Sequence, residues 1–452
     1  MAKTDFDVIV VGGGISGLAA GWTLRHRNLI LLEAGARVGG RISSVSIDQR
    51  WVNFGAHLVS PGGHMQAFAQ QFGVPVIEPP GHTVTAVAMG TRIIRVRRPE
   101  LLPLRLPLSL EGRVSLVRAG MRRLAAHRRA ALADSCGLVS AHVTPPRLPA
   151  DERLDGMTFG ELLGDMQRDA KELMRIIANR AAAELTTLSA QYAVLTATGA
   201  GGVRRLNVIG GTEELITAIH LRLGSRVRTS ANVIGVTQDR ETVYVDVQSQ
   251  SAWERLTARA CLVAVPAPAV RRIVSDLPPE KDAGLGAVRY GPYVVAGIFT
   301  TKTEPLPWSD LYALIVPRRS FCLLFNSSNA SLRTGPALGS SFVVYAGGDR
   351  AAEMLSESDG FIGDRFLRDL YEIAPELRGT VRELIVKRWP LGGPISAPGR
   401  SRLQPQLAAS VGRIFFAGDY IGHPGMESAA ETGIEAARII DLRLREEEAG
   451  RP

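Results

Sequence analysis

The sequence predicts an α/β fold in two parts, and three features carry that expectation. Near the N-terminus an apolar run, Phe6-Asp7-Val8-Ile9-Val10-Val11, stops at a glycine-rich turn. A segment of helical spacing and a second apolar run, Leu29-Ile30-Leu31-Leu32, follow directly. At the other end a short apolar run, Arg413–Ala417, leads through Gly418-Asp419 into a long helical segment. A chain of 452 residues exceeds what one hydrophobic core usually holds, so at least two domains are expected.

Taken in order, Phe6–Val11 has the nearly continuous apolar character of a buried parallel strand. Ile15 to Arg25 has helical spacing, and Leu29–Glu33 reads as the next parallel strand, completing a βαβ unit of Rossmann type. From about Pro79 to Arg204 the pattern predicts helical segments, broken by Pro99, Pro103 and Pro107 and by a linker-like stretch from Thr144 to Pro149. Alternation returns at Val227–Val247, with Glu241-Thr242 as a hairpin turn, and at Ala260–Val265. Tyr293–Thr300, Ser320–Asn326 and Ser341–Tyr345 are further strand candidates, Arg413–Ala417 is the last, and a helix runs from about Met426 to Arg445. The chain thus divides into a discontinuous Rossmann-type domain (1–80, 205–285 and 400–452) and an α+β domain with a mixed sheet and a helical insertion (81–204 and 286–399).

Composition excludes several classes. The chain is 45% hydrophobic and 21% charged, ordinary for a soluble globular protein. No stretch approaches the roughly 18–20 apolar residues of a membrane-spanning helix, and the N-terminus lacks the apolar region and cleavage site of a signal peptide. A cytoplasmic location is therefore the expectation. Cys136, Cys261 and Cys322 lie far apart, without metal-ligand or CxxC spacing, so reduced thiols and no metal are expected. The net charge of +9 rests on arginine, with Lys3, Lys171, Lys281, Lys302 and Lys387 the only lysines, and no nucleic-acid module accompanies it. Arg113 to Arg129 reads as a basic amphipathic helix, with Arg118, Arg122, Arg123, Arg128 and Arg129 among Val114, Leu116, Val117, Met121 and Leu124. A solvated face over a packed one is the favoured reading, and contact with an anionic membrane surface is the alternative.

The chemistry begins at Gly12-Gly13-Gly14-Ile15-Ser16-Gly17, a GxGxxG between strand and helix. Gly12 permits the tight turn, Gly14 lets the backbone approach a pyrophosphate, and Gly17 lets helix and strand pack closely, with the diphosphate resting on the helix N-terminus. Glu33 ends the second strand, where a carboxylate accepts from ribose hydroxyls. An acid there fits an adenosine with a free 2′-OH, as in NAD and FAD but not NADP.

The next segment, Glu33-Ala34-Gly35-Ala36-Arg37-Val38-Gly39-Gly40-Arg41, resembles the "LEA…R-GGR" stretch of the flavin-containing amine oxidoreductase superfamily, which includes monoamine oxidases, protoporphyrinogen oxidase and phytoene desaturases. By that resemblance Gly39 and Gly40 come close to FAD, and Arg37 and Arg41 supply cationic contacts near the diphosphate. Asn53-Phe54-Gly55-Ala56-His57 is similar to the family's "D-x-G-A" segment beneath the flavin, with Asn53 where the family often has Asp. Phe415-Phe416-Ala417-Gly418-Asp419 resembles "F-A-G-D/E", whose carboxylate binds a ribityl hydroxyl. Gly425-Met426-Glu427-Ser428 opens what resembles the C-terminal flavin helix, whose N-terminus would face the N1–C2=O edge of the ring. Gly210-Gly211 and Val233–Val236 resemble the "GG…L" helix and "V-x-x-I" strand, with the Val233 backbone meeting adenine, and Arg388-Trp389 resembles the "R-W" strand.

Absences point to a branch. The strand Tyr293–Phe299 lacks the lysine that many amine oxidases of the family place beside flavin N5. Gly425 falls where monoamine oxidases have one cage tyrosine, and Trp389–Gly399 offers neither the other aromatic nor a cysteine for covalent flavin attachment. FAD is therefore expected to bind noncovalently. The implied enzyme takes hydride from a C–N (amine or amide) or C–C bond of a sizeable hydrophobic small molecule, giving an imine or alkene, in biosynthesis. A simple monoamine oxidase and a noncatalytic FAD-binding membrane-surface or assembly protein remain as alternatives. A disulfide reductase would need a redox CxxC and a second GxGxxG, which are missing. His57 and His423 are the candidate bases or substrate anchors, each with a structural alternative. Tyr290, Tyr293 and Tyr420 read as core residues with a weaker claim on the pocket. Oligomeric state is left open.

Overall fold

The computed structural model describes residues 4–82, 84–136, 152–197, 205–249, 252–302, 306–330 and 339–450. Two seven-stranded sheets organise them. In the first, the order is Asn232–Gln238, Val243–Gln248, Trp253–Val263, Phe6–Val11, Leu29–Leu32 and Val227–Arg228, with Ile414–Phe416 added beside Trp253–Val263. The centre is parallel: Val8 pairs with Leu29, and Val11 with both Leu32 and Val263. The first strand is apolar throughout its inner part because both faces are covered. Val8 and Val10 enter a core with Leu18, Ile434 and Ile440, while Ile9 and Val11 enter another with Val236, Val270 and Leu407.

The second sheet runs Val381–Pro394, Tyr290–Thr300, Ser341–Gly347, Leu323–Phe325, Ala313–Ile315, Thr85–Met89 and Arg92–Val96. It is mixed: Ile315 pairs parallel with Val87, and its other pairings are antiparallel. Its last two strands correct the expectation of helix from Pro79 onward. Thr85–Met89 and Arg92–Val96 form a tight hairpin in which Gly90 adopts φ 63°, and Ile94 and Val96 face the core while Arg92 and Arg95 face out. Five-residue runs are too short for a clear period; Thr85–Met89 pairs with Ala313–Ile315, and Arg92–Val96 pairs in turn with Thr85–Met89. Beyond the hairpin the region is helical as expected, with Leu110–Cys136, Arg168–Asn179 and Ala190–Ala197. The linker-like Thr144–Pro149 stretch lies outside the described residues.

The basic helix exists but does not pack as expected. Its inner side is made by Gly112, Leu116, Ala119 and Ala126, whereas Val114, Val117, Met121 and Leu124 are 42–59% exposed. Small residues let this helix approach its neighbours, and of the apolar side chains expected to pack only Leu116 is buried. Among the described residues no helix is long and apolar enough to cross a membrane.

Candidate active site

Two glycines bring the ends of the chain together. A Cβ on Gly17 would stand 2.0 Å from the Gly12 carbonyl oxygen, and a Cβ on Gly433 would stand 2.1 Å from the Ser16 carbonyl oxygen. The helix Ile15–Thr23 therefore lies against the first turn on one side and against the helix Met426–Ala449 on the other, at distances only glycine allows. Gly12 adopts φ 106°, with its Cα against Ala264, so the turn between strand and helix demands glycine as well.

The glycine loop is held from Glu33, whose carboxylate accepts the Gly13 N–H and the Gly35 N–H, each at 2.7 Å. Arg37 takes a different part from the one expected. Its guanidinium donates to the carbonyls of Val38, Gly40 and Ile42 and lies 3.6 Å from Glu213, so it shapes the Gly39-Gly40 turn instead of standing free for a phosphate. Arg41 donates to Asp419 at 2.8 Å and to the Gly392 carbonyl at 3.3 Å, joining the first domain's loop, the "R-W" strand and the segment before the last helix. Asp419 is 6% exposed.

The Asn53–His57 strip is fastened along its backbone. Trp389 Nε1 donates to the Phe54 carbonyl at 2.8 Å, the Tyr345 hydroxyl donates to the Asn53 and Gly55 carbonyls, and a Cβ on Gly55 would stand 1.8 Å from the Arg41 carbonyl. Asn53 accepts the Thr212 N–H and the Ser44 hydroxyl, tying the strip to the start of the helix Glu213–Leu223. Glu427, in the first turn of the last helix, accepts the N–H groups of Ser60 and Met65. Val233 lies on the outer strand Asn232–Gln238, where a bulge between Val233 and Gly235 interrupts the ladder.

These residues fit FAD. Around Gly14 and around Gly425 a Cβ would meet nothing within 4 Å, so the backbone at both helix N-termini faces open space. The Ser16 and Ser428 hydroxyls nearby are buried with no protein partner. Gly12, Gly14, Ile15, Ser16 and Gly17 would hold the diphosphate, Glu33 with Ala34 the adenosine ribose, Val233 the adenine, and Gly39, Gly40, Arg41, Asp419, Phe54, Gly55, Ala56, Gly425, Met426 and Ser428 the ribityl chain and ring. A ring held at Gly425 would meet the end of a helix dipole, which would favour added negative charge.

The two candidate histidines separate. His57 is 6% exposed, its Nδ1 lies 3.0 Å from the Gly55 carbonyl, and its ring sits between Phe325 and Tyr345. It lines, with Trp51, Asn207 and Tyr312, a void of only about 10 Å³, too small for any substrate. Its ring is thus packed among side chains of the second sheet. Burial lowers its pKa to about 4, so His57 is neutral in the fold and the unfolded chain binds its proton near 6.5. Stability from this residue is complete above pH 6.5 and is lost as pH falls towards 4, approaching roughly 3 kcal/mol. A His57→Phe variant should escape that loss, so its melting temperature should gain on the parent by a few degrees between pH 7 and 4.5. A constant difference between the two would refute the burial argument.

His423 is half-buried, with its ring 6.2 Å from that of Tyr192, and burial followed by Arg400 lowers its pKa. Tyr192 in turn lies in the field of Arg180 and Asp419, and the Tyr293 hydroxyl donates to the Arg180 carbonyl at 2.6 Å. Tyr420, 1% exposed, is a core residue as expected, and the Tyr290 hydroxyl accepts the Ala267 N–H. Tyr192, Arg180 and Tyr345 were not singled out by sequence, because they stand in segments without motifs. The strand Tyr290–Thr300 carries no lysine, but Lys387 on the paired strand Val381–Pro394 places its ammonium 5.2 Å from the Trp389 ring.

A glycine-loop helix, an Arg–Asp pair with a buried carboxylate and a dipole-tipped last helix, set beside a second mixed sheet, define an FAD-dependent oxidoreductase. Residues 15–441 match the family described as flavin containing amine oxidoreductase, and the chain belongs to that family. It is 24% identical over 470 residues to an L-amino-acid oxidase of Demansia vestigiata, covering 96% of this chain and 86% of that protein. It is 28% identical over 277 residues to the flavin-containing amine oxidase B of Sus scrofa, covering 58% of this chain and 50% of that one. In fold it is similar to cyclohexylamine oxidase from Brevibacterium oxydans IH-35A (TM-score 0.76, 19% identity, covering 98% of this chain and 100% of that one). A putrescine oxidase solved with putrescine gives a TM-score of 0.75 at 19% identity, with 97% and 99% covered.

Proposed function

We propose that this protein oxidises the C–N bond of a sizeable, hydrophobic amine, with the substrate held between the flavin and a wall that includes Tyr192, Tyr293 and His423. The observation that carries the reading is the open N-terminus of the last helix at Gly425, shortly after Asp419 with its Arg41 partner, in a chain of the amine oxidoreductase family. Glycine at 425, where a cage tyrosine would narrow the site, supports a larger substrate. FAD supplies a hydride acceptor for the C–H bond beside nitrogen. The chain's part is to orient that bond and to receive the proton that the ammonium form must lose before oxidation. His423 suits the second task, because burial, followed by the charge of Arg400, favours its neutral, proton-accepting form. The imine left behind is hydrolysed by water to a carbonyl compound and an amine.

Carbon–carbon desaturation in a biosynthetic route is the second reading, favoured by the lysine-free strand Tyr290–Thr300. One experiment addresses both. The FAD-loaded protein is mixed anaerobically with a panel of arylalkyl, cyclic and long-chain amines and with amino acids, and the flavin absorbance is followed. Bleaching by an amine, with carbonyl product after quenching, is the expected result. An alkene product would favour desaturation, and a flavin that no amine bleaches would overturn the proposal and favour a noncatalytic FAD protein.

A further inference from the structure

None of the residues lining an open cleft beside the second sheet belongs to the flavin segments. The helix Arg168–Asn179, the turn at Arg318–Ser320, Arg350 and the helix Asp359–Ile373 enclose about 670 Å³, within the range of small-molecule sites. Seven arginines line it against three carboxylates, and no aromatic side chain does.

Four of these arginines are paired. Arg175 binds Glu184, Arg350 binds Glu172, Arg319 binds Asp369 and Glu372, and Arg365 lies 3.5 Å from Glu353. The other three, Arg168, Arg318 and Arg368, make no hydrogen bond or ion pair among the described residues, although Asp169 feels the charge of Arg318. Arg350 is 8% exposed and keeps a buried Nη1 with no partner. Arg318 is presented from a backbone at φ 61°, a conformation non-glycine residues rarely adopt and that costs free energy to hold. Uncompensated guanidinium groups gathered in one cleft repel each other, and an anion that bridges them removes the penalty.

We propose that this cleft binds an oligophosphate, the triphosphate tail of a nucleotide or free inorganic tripolyphosphate, through Arg168, Arg318 and Arg368. Guanidinium forks match phosphate oxygens in pairs, and three free forks around one cleft suit a chain of linked phosphates better than a single anion. Without an aromatic platform for a base, recognition stops at the phosphate chain. The helix that carries Arg168 and Arg175 ends at Asn179, next to the Arg180 carbonyl that holds Tyr293, so the cleft and the candidate active site share an element.

Calorimetric titration of the FAD-loaded protein with sodium tripolyphosphate, and separately with ATP, at about 0.1 M salt tests this. Saturable binding of both with similar affinity is expected. The triple variant Arg168→Ala/Arg318→Ala/Arg368→Ala should bind at least about tenfold more weakly while keeping its flavin absorbance. Arg105→Ala/Arg118→Ala/Arg128→Ala removes the same charge from exposed sites elsewhere and should bind as the parent does. The proposal fails if neither ligand gives a saturable signal. It fails equally if only ATP binds, or if the two triple variants lose affinity alike.

Discussion

Replacing Gly433 by valine is expected to leave a protein that no longer retains FAD. The Gly433 Cα faces the Ser16 carbonyl so closely that even a methyl group would stand 2.1 Å from the oxygen. Ordinary carbon–oxygen contact needs more than about 3 Å, so the last helix must withdraw from the first by an ångström or more. Both helix N-termini would be FAD contacts, one for the phosphates and one for the ring, and a shift of that size would separate them. Overpacking alone costs about 1–3 kcal/mol, and valine's branches add to the methyl group's clash. The expected readout is at least a hundredfold rise in the FAD dissociation constant, about 3 kcal/mol, seen as colourless protein after gel filtration. Gly120→Ala is the matched control. It lies exposed in the helix Leu110–Cys136 with nothing within 4 Å of its Cβ position, so alanine should be neutral or stabilise by up to about 1 kcal/mol. A Gly433→Val protein that stays yellow at the parent FAD ratio would show that the two helices do not share one cofactor.

Sequence made this junction legible because its glycines are forced. Gly12, Gly17 and Gly433 each stand where backbone meets backbone, and such places leave a fixed pattern in any chain that solves the same problem. The parallel strands were equally legible, since a strand covered on both faces must be apolar at every inner residue. The second sheet was harder. Thr85–Met89 and Arg92–Val96 carry five residues each, too few for a period to show, and the first of them pairs with a strand more than 200 residues away. The site suffered the same division. Arg41 and Asp419 stand in motifs and could be named, whereas Tyr192, Arg180 and Tyr345 come from segments where one polar or aromatic residue looks like any other. His57 shows the limit of a motif: its segment resembles one that runs beneath the flavin, but its side chain turns towards Phe325 and Tyr345. Nearness in sequence to a cofactor segment fixes the backbone of a residue and not the direction of its ring. The exposed face of the basic helix teaches a related point, since amphipathic spacing identified the helix but not which of its residues pack.

Asp419→Ala should weaken FAD binding about a hundredfold without unfolding the protein. In the parent the carboxylate is 6% exposed and accepts from Arg41 at 2.8 Å, and by family resemblance its second oxygen is the acceptor for a ribityl hydroxyl. Alanine removes both interactions and leaves the Arg41 guanidinium with only the Gly392 carbonyl. Breaking a fully buried pair costs about 3–5 kcal/mol. Arg41 is 30% exposed, so water relieves part of that loss, and about 2 kcal/mol is the appropriate scale for the pair. The lost hydrogen bond to the ribityl chain adds about 1 kcal/mol to the binding cost. Asp419→Asn separates the two contributions: it retains an acceptor for the hydroxyl and a neutral partner for Arg41, and should recover part of the affinity. Combining it with Arg41→Met closes a double-mutant cycle, in which a coupling of about 1 kcal/mol or more is expected if the two side chains act together on the cofactor. Equal FAD affinity in Asp419→Ala and the parent would place the ribityl chain elsewhere, and with it the ring, since the helix beginning at Met426 follows only seven residues later.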